Sequence, residues 1–188
     1  MAKPGDVIEE PLFGERIVFR KTGRETGGEL LEFDHFLPPG AFPPAAHVHP
    51  RQEQRLEVLE GSVRVRVGRI ERIATKGDVV VVPPGTPHTW WGGDAPAVLR
   101  NQFRPALNTG EFFETLYGLA RGGKTDRKGM PNLLRVSLLA PRFEIYLARP
   151  PIAVQKALFA LLAPLARALG LDREISAVSA RVHAPAAP

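Results

Sequence analysis

The stretch HVHPRQEQRLEVLEG, residues 47–61, places two histidines two positions apart, and follows them with a run that alternates charged and apolar residues. Side chains two apart on a strand point to the same face, so His47 and His49 can aim both imidazoles at one point, as a metal ion requires. Further along the same stretch, Gln54, Leu56 and Val58 share one face, and Glu53, Arg55 and Glu57 share the other. A closed sheet takes the apolar set inside. Gln54 is therefore expected to point inward, and Glu53 toward solvent or a subunit partner. Glu53 would reach the interior only if the strand bulged before Arg55.

A second stretch, GDVVVVPPGTPHTWW at 77–91, reads as a strand running into a Pro-Pro-Gly turn, with His88 opening the next strand. Trp90 has the parity of His88 and should project inward, to stack on a substrate ring or to cover one side of a cavity. Trp91 should lie on the opposite face, under the C-terminal helices. In SVRVRVG, Val63, Val65 and Val67 alternate with Arg64 and Arg66, the period of a half-buried strand. RIVFRKT, ELLEFDHF and AVLRNQF are further strand candidates, and GRETGG and LPPGAFPPAA separate some of them as turn and loop. Several short strands at this spacing indicate a sandwich or barrel.

Gly40, His47, His49 and Gly61 resemble the first cupin motif, and Gly77, Pro83, Gly85 and His88 match the second, G-x5-P-x-G-x2-H, without a gap. The resemblance implies a mainly β fold: a cupin double-stranded β-helix, or jelly-roll barrel, over residues 15–107, with a C-terminal α-helical extension outside the shared pattern. It also implies one divalent transition metal on His47, His49 and His88. Two departures are minor. Gly40 lies one residue further from His47 than usual, and Gly92 stands where an asparagine often closes the second motif. The third is chemical. The family places a carboxylate seven residues before the closing glycine, and counting back from Gly61 gives Gln54. Three imidazoles and a neutral amide leave the metal charge uncompensated. That disfavours Mg²⁺ and Ca²⁺ and leaves Zn, Ni, Fe, Cu or Mn. It also favours an anionic ligand in the open position and acidifies bound water.

The resemblance says little about the reaction, since cupins host many chemistries. The expectation is a small-molecule metalloenzyme, dioxygenase- or isomerase-like, acting on an anionic or aromatic metabolite. Two rivals remain: a ligand-binding or sensing module without turnover, and a barrel with a vestigial metal site. Arg100 and Gln102 share a parity in AVLRNQF; if it points inward, Arg100 can pair with an anionic substrate. His35, beside Asp34, reads as an exposed strand histidine. GRETGG and RGGKTD lack the spacing and context of phosphate loops, and there is no Ser-His-Asp or paired-carboxylate pattern.

The remaining features set limits. Among 188 residues there is no cysteine, which excludes disulfides, thiolate ligands and a cysteine nucleophile, and fits a reducing, cytoplasmic setting. The net charge of +5 is spread along the chain as a solvated basic surface, with no block that suggests nucleic acid. MAKPGDVIEEPLFGER, which contains the N-terminal arm at 1–14, lacks the apolar segment of a leader. The apolar stretch at 150–170 is interrupted by Lys156 and Arg167, whereas a membrane span needs about 20 apolar residues. The expected partners are thus a small molecule and a second copy of the chain, not a membrane.

The extension, 108–172, should begin with a helix at 111–121, capped by Asn108 with Glu111 as its capping-box partner. RGGKTDRKGMPN then reads as a connector, and VSLLAP and FEIYLARP as extended or irregular. A second helix, 152–169, should kink or break at Pro164. It is apolar on nearly all sides and so should be buried on most of its circumference, against the barrel or across a homodimer interface. Near the barrel mouth the helices would form a lid. Residues 173–188 read as a disordered tail, in which His183 has no role.

Overall fold

The computed structural model describes residues 2–41 and 45–181, with side chains to residue 178. The chain forms strands β1 (Val7–Glu9), β2 (Arg16–Lys21), β3 (Leu31–Leu37), β4 (His47–Val48), β5 (Glu53–Glu60), β6 (Ser62–Val67), β7 (Ile70–Thr75), β8 (Val79–Val82), β9 (His88–Gly92) and β10 (Ala97–Arg104). Helices α1 (Thr109–Arg121) and α2 (Leu133–Phe143), the short strand β11 (Tyr146–Leu147), and helices α3 (Ile152–Ala168) and α4 (Leu171–Arg181) follow. One sheet has the order β1-β2-β3-β10-β5-β8 and the other β11-β4-β9-β6-β7. All strand pairs are antiparallel. The mainly β barrel with a helical extension is the architecture that the alternating strands and the motif spacing predict.

Alternation explains what fills the barrel. Leu56 and Val58 of β5, Val63 and Val65 of β6, Val80 and Val82 of β8, and Leu99 of β10 meet in one buried cluster between the sheets. Their neighbours face outward, mainly charged on β5 and β6 and the exposed valines Val79 and Val81 on β8, as a pleat of period two requires. At the other end of the barrel, Phe19, Phe33 and Phe103 pack with Tyr117 of α1, so the helical extension closes what would be an open mouth.

Two glycines are required by close approach. Gly61, in the turn between β5 and β6, has a φ of +72°, and a side chain there would overlap the Pro96 carbonyl oxygen. Gly61→Ala should therefore cost about 1–3 kcal/mol in chemical denaturation, from left-handed strain plus the clash; an unchanged midpoint would refute this. Gly92 has an ordinary φ, but a Cβ on it would lie 2.8 Å from the Ala41 amide nitrogen. Ala41 packs on the position where the family pattern often carries asparagine, which accounts for that departure.

The extension differs from the sequence reading in four places. Asn108 does not cap α1 through its side chain; its Nδ2 donates to the Arg142 carbonyl oxygen at 3.1 Å, and Glu111 pairs with Arg142. VSLLAP is not extended but lies within α2, whose true cap is Asn132, accepting from the Arg135 backbone N–H at 3.0 Å. Pro141 sits in the last turn of α2, where it masks the helix from a breaker-based reading. α3 buries only the stripe Gln155, Phe159, Ala163 and Ala166, not most of its circumference. Residues 173–181, expected in a disordered tail, belong to α4. Ile175 is buried among the helices, and Glu174 takes both hydrogen bonds of a two-pronged pair with Arg135 at 2.9 Å. His183 lies outside the described residues. Pairing of β1 with β2 also extends the sheet to residues 7–9, within the expected N-terminal arm. No single described helix is long and apolar enough to cross a membrane.

Candidate metal centre

β4 and β9 are neighbours in one sheet, and His47 and His88 are directly paired across them. Ring centroids are 4.3 Å apart for His47 and His88, 5.0 Å for His47 and His49, and 5.3 Å for His49 and His88. One nitrogen from each ring lies within 4.8 Å of the other two. Two histidines two positions apart, one in β4 and one just past its end, and a third delivered by the Pro-Pro-Gly turn thus converge as their spacing predicts.

The inner face of β5 supplies the fourth group. Its register runs without a break from Glu53 to Val58 against β10, and from Gln54 to Glu57 against β8. There is no bulge before Arg55, so Gln54 is buried inside and Glu53 is only partly buried on the other face. Gln54 Oε1 lies 2.8 Å from His88 Nε2, and its Nε2 donates to Asn101 Oδ1 at 2.9 Å.

Hydrogen bonds from the other ring nitrogens set the tautomers. His47 Nδ1 is 2.8 Å from the Ala45 carbonyl oxygen, and His88 Nδ1 is 3.0 Å from that of Thr86. A proton on each Nδ1, donated to these carbonyls, leaves Nε2 with a free lone pair. That is how protein carbonyls orient metal-ligating histidines. Neutral His88 has one proton to give, to Thr86 or to Gln54, so the tautomer that offers Nε2 to a metal also releases Gln54 Oε1. Both nitrogens of His49 are buried without a hydrogen-bond partner. Such an orphaned polar ring is costly unless something binds it.

Electrostatics favour the neutral, ligating form. Burial lowers the pKa of His47 to about 3, with the charge of His88 adding to the effect. Burial, then His47 and His88, holds His49 well below its ordinary value, against the polar Gln52 side chain nearby, which raises it. Burial also lowers His88, against its bond to Thr86. Three unprotonated imidazoles, one orphaned, and a neutral amide form a nitrogen-rich donor set that fits a transition metal.

His47, His49 and Gln54 line a cavity of about 220 Å³ whose lining is mostly apolar. Trp90 lines it, as its parity predicts, edge-on to His35 with centroids 5.6 Å apart. The Arg66 guanidinium lies over the ring of the partly buried Trp91, 5.3 Å from its centroid. Arg100 and Gln102 require correction. The inward residues of β10 are Ala97, Leu99, Asn101 and Phe103, so the other parity faces out. Arg100 Nε donates to Asp34 Oδ1 at 2.8 Å, and Gln102 Nε2 to Glu32 Oε2 at 2.6 Å, both outside the cavity. Their places on the cavity wall are taken by Asn101 and Phe103. His35 is not exposed but buried, with Nε2 2.9 Å from Glu15 Oε2. Glu10, Glu15 and Tyr117 line the cavity as well. No spacing signal pointed to them, because Glu15 and Tyr117 meet across 102 positions.

Comparison with known proteins agrees with this geometry. A family model described as Cupin domain matches residues 34–101. Among solved structures, an RmlC-like cupin from Shewanella frigidimarina shares 27% identity over 53% of this chain and 83% of its own, with a TM-score of 0.46. KdgF from Halomonas sp. shares 20% over 56% and 83%, with a TM-score of 0.44. TT1209 from Thermus thermophilus shares 32% over 42% and 74%, with a TM-score of 0.40. No curated protein sequence matches the chain. The family match spans the strands that bring His47, His49 and His88 together, and the chain belongs to the cupin superfamily.

Proposed function

We propose that the chain is a metal-dependent enzyme that acts on a small anionic or aromatic molecule, with dioxygenase- or isomerase-like chemistry. One observation carries the reading: three neutral-tuned imidazoles, one of them orphaned, converge beside a mostly apolar cavity that His47 and His49 line. His47, His49, His88 and Gln54 would hold one Zn, Ni, Fe, Cu or Mn ion. When bound, that ion supplies Lewis acidity beside the cavity. The chain's own residues do the rest. Ala45 and Thr86 carbonyls hold the His47 and His88 rings in the ligating tautomer. Asn101 steadies the Gln54 amide, and the aromatic walls exclude water from the ligand. The neutral amide leaves the site net positive, which selects an anionic group.

The test is metal analysis of protein made in metal-supplemented medium, followed by turnover of a mixed metabolite pool with and without chelator. Stoichiometric metal and chelator-sensitive turnover support the proposal, and metal below one-tenth of an equivalent overturns it. Metal without turnover would favour the second reading, a binding or sensing module, which the uncharged Gln54 keeps open. Gln54→Glu should raise metal affinity about tenfold or more by adding charge to the donor set, measured by competition with a chelator. No change would place position 54 outside the ligand set.

The functional unit we propose is a cytoplasmic homodimer. Val154, Leu158, Leu161, Leu165 and Leu169 are exposed along one side of α3 and its end, at the alternating spacing of a helix–helix seam. A seam of this kind is self-complementary across a two-fold axis. Light scattering should give twice the monomer mass for the native chain and the monomer mass for Leu161→Glu; a native monomer at micromolar concentration contradicts the dimer.

A further inference from the structure

The cavity has a second polar group besides the histidines. Glu15 Oε2 accepts from His35 Nε2 at 2.9 Å and from the Tyr117 hydroxyl at 3.4 Å. Glu10, at the other end of the β1–β2 turn, joins them on the cavity wall. Its Oε2 accepts the Leu12 and Phe13 backbone N–H groups at 2.8 and 2.6 Å, whereas its Oε1 is buried with no partner. Glu10, Glu15, His35 and Tyr117 are each more than nine-tenths buried. Two carboxylates beside one cavity thus offer more acceptor capacity than the protein's donors fill. The cationic residue among the cavity's lining is Lys128, which is itself exposed. Burial raises the pKa of Glu10 against the lowering effect of the Phe13 and Leu12 backbone N–H groups, and the nearby Glu15 adds to the rise.

Aromatic rings lie between the two polar groups. The ring of His49 is 5.4 Å from Phe103, Phe103 stacks 5.9 Å from Phe33, and Phe33 lies 6.3 Å from His35. Phe113 of α1 covers this bridge, 5.0 Å from Phe33. A cavity with an anion-selecting end, a ring-lined middle and an acceptor-rich end suits a molecule with the complementary order of groups.

We propose that Glu10, Glu15, His35 and Tyr117 form a second subsite that binds a hydrogen-bond donor, a hydroxyl or an ammonium, on a ligand whose acid end lies at the histidines and whose apolar body spans Phe33 and Phe103. This deepens the ligand reading above and rests on it for the acid end alone. A neutral donor and a cation satisfy the same oxygens, but only a cation gains from both carboxylate charges.

Calorimetry with Zn²⁺-loaded protein tests it. The probes are benzoate, 4-hydroxybenzoate and 4-(aminomethyl)benzoate, each also with one and two methylenes before the carboxylate to scan length. At one length, a donor-bearing probe should bind at least tenfold tighter than its unsubstituted parent, and which donor wins separates hydroxyl from ammonium. Glu10→Gln and Glu15→Gln should each cut that ratio below threefold while leaving the parent acid's affinity unchanged. Tyr117→Phe serves if either glutamine variant fails to fold. Equal binding of donor and parent at every length, a ratio that survives both substitutions, or no binding of any probe overturns the subsite. Phenol and benzylamine against toluene repeat the comparison without a carboxylate. A donor preference that persists there, while zinc removal leaves benzoate binding unchanged, sinks the acid anchor and spares the subsite.

Discussion

His49→Ala is expected to abolish stoichiometric metal binding, weakening affinity more than about a hundredfold, while leaving the metal-free fold within about 1 kcal/mol of the native chain. The two halves have separate origins. Outer-shell partners of a metal are already worth about 10–100-fold, and His49 contributes a ligand itself. In the metal-free protein its two buried nitrogens have no hydrogen-bond partner, so removing the ring removes a desolvation cost. The loss of packing against Phe103 works the other way and offsets it. Metal content by plasma mass spectrometry and unfolding in urea read the two effects. Retained metal would dismiss the histidine site; a collapse in stability would mean that His49 serves the core.

Acidification of the metal-free protein should produce the second large effect. In an unfolded chain the three histidines titrate near 6.5, whereas in the fold all three are lowered, His47 to about 3. A group with a lowered folded pKa stabilises the fold above its unfolded value. That stability is lost as pH falls from about 6.5 toward the folded value. His47 contributes to this loss, which grows down to pH 3, although its partial solvent exposure reduces the size of its share. Glu10 runs the opposite way: its raised pKa gives stability that is present at low pH and lost as pH rises. The diagnostic quantity is therefore the difference between the native chain and His47→Asn, followed by thermal unfolding from pH 7 to pH 3. The variant should show a shallower decline, and parallel curves would refute the assignment. Protons compete for the same lone pairs, so loaded protein should release its metal over the same range.

The histidines were legible in the sequence because their signal is local. A two-residue spacing sets the faces of His47 and His49, and a rigid Pro-Pro-Gly turn delivers His88. Gln54 was legible for a related reason: Leu56 and Val58 mark the inner face for it. Parity failed on β10. Its inner face carries Asn101, so polarity does not separate the two faces, and Arg100 and Gln102 hide their outward direction until Asp34 and Glu32 are seen opposite them. α2 was hidden by Pro141 and by the polar connector before it. The carboxylates of the β1–β2 turn and Tyr117 were beyond reach, because only the closed fold brings the two ends of the barrel sequence together.

The match to the cupin family stops at residue 101, yet Tyr117, Met130 and Tyr146 complete the cavity wall. In the proposed reading the metal ligands thus lie within the matched stretch, while part of the ligand-facing wall lies beyond it. Exchanging the segment after β10 for that of a relative should therefore change which small molecules the cavity admits while leaving His47, His49 and His88 together.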